Sequence, residues 1–399
     1  MSPPPRAEGR PDGADLQPET LTAMARLAEE SGLRRVHMVA WRDRDDPAAG
    51  GSEEHANQVA RAWASAGLEV TLRTGRVARS PVEINRDGYR VVRHGGPVSV
   101  IPRTALAGLF GRDGPRDGLV EIFHGFPFFA PLWARGPRVA VVHHVHLGAW
   151  HLLAPAPVAA VGHLLERYVV PCLYRRSAMV VGSPSTRQEL VDLGIDENHI
   201  TLEPYGVGPQ FTPAAIRSPV PLVAAVGRLM PQKGFDVSLR AFAEVHGGLP
   251  EARLVVVGDG PQRPALEALT AELGISEVTE FTGRVSDADL VDHYRRAWLV
   301  LNASQREGWG LTLTEAARCG TPAVATRVTG HVDAVVDGET GLLADDATGL
   351  AVATLRLLRD HDERGRLADN ARRRAEGFRW DRVALATLSA LADDARRRR

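Results

Sequence analysis

The feature that most restricts the fold of this chain is a double series of short apolar segments that alternate with helical ones. The apolar segments span residues 34–41, 68–74, 89–95, 138–146 and 178–183 in the first half of the chain, and 222–229, 252–260, 278–285, 298–304 and 321–328 in the second. Short apolar strands separated by helices are typical of parallel sheets that are covered on both faces. The sequence therefore predicts two α/β domains, each built on a doubly wound, Rossmann-like sheet.

A segment rich in proline and glycine, PYGVGPQFTPAAIRSPVP at 204–221, separates the two series and is typical of a linker. The length of 399 residues also favours two domains. We therefore predict one domain over residues 31–210 and a second over residues 211–380. The polar, proline-rich start of the chain predicts a poorly ordered arm over residues 1–30.

Charge and cysteine content exclude several classes of protein. A formal net charge of −1 provides no overall field that would attract nucleic acid or a membrane surface. No apolar run is long enough to span a membrane, and no signal peptide is visible. Cys172 and Cys319 lie far apart without metal-site spacing, which fits a reducing compartment. These observations predict a cytoplasmic protein. A peripheral position at the inner face of the membrane stays open. The apolar, aromatic stretches at 127–136 and 146–157 suit contact with a lipid or an aglycone, and packing inside the protein explains them equally well.

The loop GRLMPQKG at 227–234 carries Arg228 and Lys233, and Lys233 is the only lysine in the chain. The loop follows a predicted strand, which is where doubly wound sheets bind their ligands. The planar fork of an arginine and the compact charge of a lysine together suit a diphosphate. A basic surface loop is the alternative, but the sole lysine in a loop framed by glycines favours phosphate binding.

The stretch EGWGLTLTE at 307–315 also follows a predicted strand. Gly308 and Gly310 leave backbone N–H groups open to a ligand, and the start of the helix that follows attracts an anion such as phosphate. Carboxylates accept hydrogen bonds from sugar hydroxyls, so Glu307 and Glu315 on either side of this turn suit a sugar nucleotide. In the alternative interpretation Glu307 only caps the helix and Glu315 faces solvent.

Two weaker turns in the second half also follow strands. GDGP at 258–261 predicts a turn that enters a helix with Pro261 at its first position, and such turns are common in nucleotide-binding sheets. GRV at 283–285 ends the next strand, where it presents backbone groups either to a base or only to a structural turn.

In the first half, Gly50 and Gly51 lie between a strand and a helix, where the backbone can approach a phosphate closely. The preceding DRDD at 43–46 contains an Asp-x-Asp pair, but a charged loop beside a glycine turn is more typical of a solvated segment than of a metal site. VVHHVHLGAWH at 141–151 carries four histidines. Alternation along a strand sends neighbouring side chains to opposite faces, which favours one histidine at the ligand site over a zinc cluster.

Together these motifs resemble the retaining GT-B glycosyltransferases of family 4, over nearly the whole chain after residue 34. The stretches that carry the resemblance are AGGSEEHANQVARAWASAGLEVTL, VVHHVH, VGSPSTRQELVDLGI, PYGV, VGRLMPQKGFD, VVVGDGP, EGWGLTLTEAARCGTPAVAT and VDGETGLL. The resemblance implies two Rossmann-like domains that face each other across a cleft. It also implies that FRWDRVA at 378–384 begins a closing helix, over 381–399, which returns to the N-terminal domain.

The resemblance assigns roles to individual residues. Arg228 and Lys233 would bind the donor diphosphate, Glu307 the transferred sugar and Glu315 the ribose hydroxyls. Gly50 and Gly51 would close over the phosphates, and His143 would lie near the reacting centre. The remaining donor-binding positions implied by the match are Gly258, Arg284, Val285, Gly308, Trp309, Gly310, Leu311 and Thr312. Many relatives have His-Asp where this chain has His143-His144, and the HHVH form occurs in a subset of the family.

The implied function is transfer of a sugar from a UDP- or GDP-linked donor to an acceptor nucleophile, with retention and without a metal or other cofactor. The acceptor class stays open among a glycan, a lipid carrier and a small metabolite. A sugar-nucleotide 2-epimerase of the same architecture is the first alternative, although such enzymes lack this combination of Arg-x4-Lys and Glu-x7-Glu. A non-catalytic nucleotide-sugar binder is the second. A nicotinamide dehydrogenase is disfavoured, because no G-x-G-x-x-G follows the first strand.

Overall fold

The computed structural model describes residues 16–123, 125–148, 150–153 and 155–399. These residues divide into two compact units. The N-terminal unit extends to Gly206 and includes Arg379–Arg399, and the C-terminal unit is Val207–Phe378. From sequence, the corresponding boundaries were predicted at residues 210 and 380.

Within the described residues, the sheet of the N-terminal unit has eight strands in the order β3-β4-β2-β1-β5-β6-β7-β8. All neighbouring pairs are parallel except β3 with β4, which form an antiparallel edge. The strands are β1 (Arg35–Val39), β2 (Glu69–Thr74), β3 (Glu83–Arg86), β4 (Tyr89–Arg93), β5 (Gly118–Phe123), β6 (Arg138–Val142), β7 (Ala178–Val181) and β8 (Ile200–Leu202).

The helices of this unit alternate with its strands, as parallel pairing requires. They are α1 (Pro18–Ser31), α2 (Gly51–Ser65), α3 (Val100–Leu109), α4 (Ala130–Trp133), α5 (Trp150–Leu153), α6 (Ala156–Leu164), α7 (Val170–Tyr174) and α8 (Pro184–Asp192). A π-helical turn, Leu165–Val169, joins α6 to α7, and a 3-10 turn, Glu197–His199, precedes β8.

The sheet of the C-terminal unit is parallel throughout its described part, with the order β11-β10-β9-β12-β13-β14. The strands are β9 (Leu222–Val226), β10 (Arg253–Val257), β11 (Thr279–Gly283), β12 (Leu299–Asn302), β13 (Ala323–Thr326) and β14 (Gly341–Ala344). The chain proceeds outward from β9 on one side and from β12 on the other, so the strand order reverses between β9 and β12. This reversal is the point at which doubly wound sheets bind ligands.

Helices cover both faces of this second sheet. They are α9 (Phe235–Gly248), α10 (Arg263–Glu272), α11 (Asp287–Arg296), α12 (Leu311–Arg318), α13 (His331–Ala334), α14 (Ala347–Arg359) and α15 (His361–Ala375), with 3-10 turns at Pro231–Lys233 and Ser276–Val278. One apolar cluster joins α9, α10 and α14 to the sheet through Phe242, Leu266 and Leu357, each at most 2% exposed. The parallel, two-domain α/β architecture predicted from the sequence is confirmed.

The last helix, α16 (Trp380–Arg398), belongs to the N-terminal unit although it follows the C-terminal unit in sequence. It packs against α1, α2 and the sheet, with Val383, Leu388 and Leu391 fully buried. The indole N–H of Trp63 in α2 donates to the carbonyl of Ala384 at 2.9 Å. The first and last helices of the described chain therefore pack together in the N-terminal unit, where α16 also covers the sheet.

The prediction of a poorly ordered arm is wrong from Pro18 onward. Residues Pro18–Ser31 form α1, with Met24 and Ala28 buried, and the N–H of Gln17 donates to Asp381 at 3.2 Å. This helix is held by α16, a partner from the far end of the sequence, so its own polar composition does not reveal it. Residues 1–15 of the predicted arm lie outside the described residues.

Four strands were not predicted, namely β3, β5, β8 and β14. In β5 the buried Glu121 interrupts the apolar run, and burial raises the pKa of this carboxyl to about 7. β8 and β14 have only three and four residues, which is too short for a clear pattern. β3 is an edge strand, and its side chains are largely exposed.

Candidate active site

The predicted phosphate-binding residues of the C-terminal unit lie on loops that follow β9 and β12. Because the sheet is parallel, these loops leave its carboxyl edge side by side at the reversal of strand order. The N–H of Gln305 donates to the carbonyl of Gln232 at 2.9 Å, which joins the two loops directly.

The loop after β9 places Arg228 and Lys233 in one compact turn. The N–H of Met230 donates to the carbonyl of Arg228 at 2.8 Å, and the N–H of Lys233 donates to the carbonyl of Met230 at 3.0 Å. Gly234 follows with a φ of 60°, and a side chain at this position would overlap the carbonyl oxygen of Ala303. The glycine therefore lets the β9 loop lie directly against the end of β12.

Lys233 and Glu307, 74 residues apart, form an ion pair of 2.5 Å between Nζ and Oε1. The hydroxyl of Ser304 donates to the same carboxylate oxygen at 2.8 Å. The side chains are only 28% and 15% exposed. Burial is the largest single influence and disfavours the charged carboxylate, but the charge of Lys233, the neighbouring His331 and the hydrogen bonds from Lys233 and Ser304 together outweigh it, so the pKa of Glu307 lies below its ordinary value. The pair therefore keeps one positive and one negative charge fixed at the edge of the sheet.

His331, at the start of α13, supports this pair and was missed in the sequence. Its Nδ1 lies 3.0 Å from the carbonyl oxygen of Thr326, and its ring is completely buried. Burial lowers the pKa of His331 although Glu307 raises it, which favours the neutral imidazole. The nearby N–H of Glu307 donates to the carbonyl of Thr329 at 3.1 Å. The available signal was a histidine in VTGH, directly after the strand β13.

The helix start predicted in EGWGLTLTE is present. Gly310 is the N-cap of α12 with a φ of 96°, and Leu311 and Thr312 are its first two residues. Gly308 is buried in the turn, and the ring of Trp309 packs edge-on against Phe378 at 5.2 Å between centroids. Because this ring is buried, only the backbone of Trp309 is placed to contact a ligand.

The two glutamates of this stretch have different partners. The carboxylate of Glu307 engages Lys233 and Ser304, so it is held by side chains from the loops and does not simply cap α12. Glu315 lies in the second turn of α12, where it accepts a hydrogen bond of 2.9 Å from the hydroxyl of Tyr294. Its side chain is thus oriented by α11 and is only half-buried.

The neighbouring loops of the C-terminal unit are joined to this edge. The N–H of Gly258 donates to the carbonyl of Gly283 at 2.9 Å, which places Arg284 and Val285 in the next loop. Arg284 is exposed. The prediction that Pro261 opens a helix is wrong, because α10 begins at Arg263 with Gln262 as its N-cap, and Pro264 lies in the first turn.

In the N-terminal unit, Gly50 is the N-cap of α2 and Gly51 its first residue. The N–H of Gly50 donates to the carboxylate of Glu53 at 2.8 Å, as in a capping box. Asp43 in the preceding loop is fully buried and pairs with Arg86 at 2.9 Å and Arg93 at 3.1 Å. The prediction of a solvated DRDD loop is therefore wrong for Asp43, whose partners come from β3 and β4.

His143 follows β6 and is buried, 8% exposed. Its ring contacts those of His55 and Tyr205, with centroids 5.1 and 5.2 Å away. His146 instead packs on His144 at 4.0 Å, and its N–H donates to Glu166 at 2.7 Å. His143 therefore has an environment separate from the one that His144 and His146 share.

The structure thus brings together the predicted residues of each unit separately. Arg228, Lys233, Glu307 and the start of α12 share one edge of the C-terminal sheet. Gly50, Gly51 and His143 lie on loops of the N-terminal unit that follow β1 and β6.

Two family models match this chain. The model for Glycosyl transferases group 1 matches residues 210–374, and the model for a Glycosyl transferase 4-like domain matches residues 50–206. A D-inositol 3-phosphate glycosyltransferase from Acidothermus cellulolyticus is 32% identical, over 88% of this chain and 87% of that relative. The chain belongs to the GT4 family of glycosyltransferases.

Solved structures show the same fold for this glycosyltransferase. Sucrose-phosphate synthase from Thermosynechococcus elongatus matches with a TM-score of 0.76 and 24% identity, over 88% of this chain and 96% of that one. Anabaena HepE in complex with UDP-glucose matches with a TM-score of 0.69 and 17% identity, over 89% and 98% of the two chains. The GT-B fold expected from the sequence is confirmed.

Among the described residues of the glycosyltransferase, no helix is both long and apolar enough to cross a membrane.

Proposed function

We propose that this glycosyltransferase moves a sugar from a UDP- or GDP-linked donor to an acceptor hydroxyl, with retention at the anomeric carbon and without a metal or cofactor. The observation that carries the proposal is the Lys233–Glu307 pair beside the N-terminus of α12, at the reversal of strand order. A cation, a carboxylate and a helix start together suit a diphosphate joined to a hydroxyl-rich sugar.

The proposed donor contacts follow from this arrangement. An ammonium group has three donors, so Lys233 can keep its bond to Glu307 while it donates to a phosphate oxygen. Arg228, in the same turn, adds a forked donor for the diphosphate. Glu307 accepts from hydroxyls of the transferred sugar, and Glu315 accepts from the ribose. Arg284 and Val285 border the base. The backbone of 308–312 and of Gly258 completes the donor site.

In the reaction, the acceptor oxygen replaces the diphosphate on the anomeric carbon. The charge that develops on the leaving diphosphate is neutralised by Arg228, Lys233 and the start of α12. These groups take the place of the metal cation that other glycosyltransferase folds use. We propose that Gly50 and Gly51 contribute backbone groups to the phosphates, and that His143 lies near the reacting carbon.

The donor is tested first by binding and then by turnover. A thermal-shift panel of UDP, GDP, ADP and dTDP should show stabilisation by one of the first two, and the matching sugar nucleotides are then assayed for transfer and hydrolysis. Proton NMR of the product reports its anomeric configuration, and added EDTA should leave the rate unchanged. An inverted product would contradict retention, and loss of activity in EDTA would contradict metal independence.

Incubation with the donor alone separates transfer from epimerisation. We expect no isomerised sugar nucleotide, and only slow release of free sugar when no acceptor is present. An isomerised donor would instead support epimerase activity, and a donor that binds but never turns over with any acceptor class would support a binding protein.

We further infer that the enzyme acts in the cytoplasm. Cys172 and Cys319 are both free thiols, which suits a reducing compartment. Its acceptor is a hydroxyl on a glycan, a lipid carrier or a small metabolite.

A further inference from the structure

The helical segment Ala156–Tyr174 is formed by α6, the π turn and α7, and its first part, up to Tyr168, turns bulky apolar residues to solvent. Val170 and Tyr174 of α7 are buried in the core, but in the first part small and polar residues point inward. Ala159 and Gly162 are buried, and the backbone of Gly162 lies directly against the indole ring of Trp150. Glu166 is also buried, where it accepts hydrogen bonds from the N–H of His146 at 2.7 Å and from the indole N–H of Trp150 at 2.9 Å.

Four bulky apolar residues of this first part point outward. Val158, Val161, Leu164 and Tyr168 are 44%, 51%, 55% and 61% exposed. Their spacing of three, three and four residues places them in one stripe along the helix. A surface helix of a globular protein normally turns such a stripe toward the core, so this one is inverted. We call these four residues the outer stripe.

The exposed charges that this segment itself carries have one sign, although Asp196 of a neighbouring turn lies near Arg175. Arg167, Arg175 and Arg176 are exposed, and none of them forms an ion pair with another described residue. Glu166 is the only carboxylate between residues 155 and 177, and it is buried on the inner face. The exposed surface of this segment is therefore apolar and cationic, with no exposed carboxylate.

We propose that the outer stripe docks on an anionic phospholipid surface. Exposed apolar area of this kind costs roughly 25 cal/mol per Å² in water, and a bilayer interface removes that cost while anionic headgroups pair with the arginines. The amphipathic ring of Tyr168 suits the headgroup level. A second copy of the chain fits less well, because it would bring two sets of arginines together. The inference goes beyond glycosyl transfer and does not depend on the donor site.

Vesicle binding tests the proposal directly. The full-length protein is sedimented with vesicles of phosphatidylcholine alone and with vesicles of equal parts phosphatidylcholine and phosphatidylglycerol, at low and high salt. We expect binding to the anionic vesicles only. Binding should weaken as salt rises, because the Debye length falls from roughly 30 Å at 0.01 M to 10 Å at 0.1 M.

Two variants separate the apolar from the ionic contribution. Val161→Ser with Leu164→Ser should weaken binding at least tenfold, and Arg175→Gln with Arg176→Gln should weaken it by roughly fivefold for each arginine removed. The matched control is Val352→Ser on α14, which removes a valine that is 63% exposed in the other unit and should leave binding unchanged. Thermal melts establish that each variant is folded, and donor turnover should be unaffected by all of them.

Three results would overturn the proposal. The first is that folded wild-type protein fails to sediment with anionic vesicles. The second is that the Val161/Leu164 variant binds as well as the Val352 control. The third is that wild-type protein dimerises in analytical ultracentrifugation through the same two residues, which would make the outer stripe a contact between copies of this chain.

Discussion

Buried titratable side chains are charged at Glu307 in the C-terminal unit and neutral at two histidines in the N-terminal unit. The carboxylate of Glu307 stays ionised in a partly buried loop because Lys233 and Ser304 lie beside it. His37 and His55 lie in the N-terminal unit, where burial lowers their pKa values to about 4 and about 3. Folding of that unit therefore requires neutral imidazoles.

This burial predicts an acid-sensitive stability. Between pH 6.5 and about 4, His37 and His55 are protonated in the unfolded chain but stay neutral in the folded protein. The free energy of unfolding therefore falls as the pH falls. Replacing His55 with leucine should reduce this slope by up to about 1.4 kcal/mol per pH unit. Urea unfolding at a series of pH values measures it. Glu121 contributes an opposing slope that is common to both proteins, and an unchanged slope would refute the prediction.

For single residues, the sequence was enough to find the charged residues of the site but not the residues that hydrogen-bond to them. Lys233 and Glu307 were identified as site residues from their loops, but their direct pairing depends on the contact between the β9 and β12 loops, which lie 74 residues apart. Ser304, Thr326 and His331 were missed because buried hydrogen-bond partners have no spacing of their own. Asp43 was misjudged for the same reason, since its arginines come from distant strands.

Among the secondary-structure elements near the site, the turn between β9 and α9 is tightly constrained. Gly234 combines a positive φ with close approach to the carbonyl of Ala303. The same turn places Lys233 next to Glu307, so its conformation affects both stability and the proposed donor site.

Gly234→Ala should therefore destabilise the protein by about 1–3 kcal/mol and weaken nucleotide binding. The matched control is Gly247→Ala, in the last turn of α9, where a methyl group meets open space. That change should stabilise the protein by about 0.4–1 kcal/mol through the unfolded chain. Thermal melts with and without nucleotide measure both effects. Equal melting temperatures for the two variants would show that the turn is not constrained.

Strands were predicted best where a short apolar run stands out from its neighbours. Ten strands were predicted near their observed positions, for example β9 from LVAAV and β10 from RLVVV. The strand β5 was missed because Glu121 interrupts its run, and α1 because its stability comes from α16. The start of α10 was misplaced by two residues, since the turn at Gly258–Gln262 is shaped by its contact with the β9 loop.

For the whole molecule, the chain order and the spatial order differ at one place. α16 follows the C-terminal unit in sequence but packs in the N-terminal unit, where it contacts α1, α2 and four strands. Removing Arg379–Arg399 would expose apolar surface of the N-terminal unit and leave the C-terminal core untouched.

Truncation after Phe378 should thus destabilise the N-terminal unit, although the deleted residues follow the C-terminal unit in sequence. Hydrogen exchange followed by mass spectrometry should show faster exchange in α2 and β6, and little change in β9 and β10. Faster exchange confined to the C-terminal unit would contradict this account of α16.

The two-domain architecture was predictable from the repeated alternation of strands and helices, and the return of the final helix was implied only by the family resemblance. The boundaries are set by contacts that no local pattern records, such as the backbone of Gly206 packed against Trp380.

The central claim is that protein charge alone neutralises the leaving diphosphate at the edge of the C-terminal sheet. Single-turnover cleavage of the donor selected by the nucleotide panel tests it, comparing Lys233→Ala with Arg240→Ala, which removes an exposed cation from α9 nearby. We predict that Lys233→Ala remains folded and slows cleavage by on the order of a hundredfold or more, as the loss of one oxyanion donor does, whereas Arg240→Ala matches wild type. Near-normal cleavage by a folded Lys233→Ala protein would contradict the account.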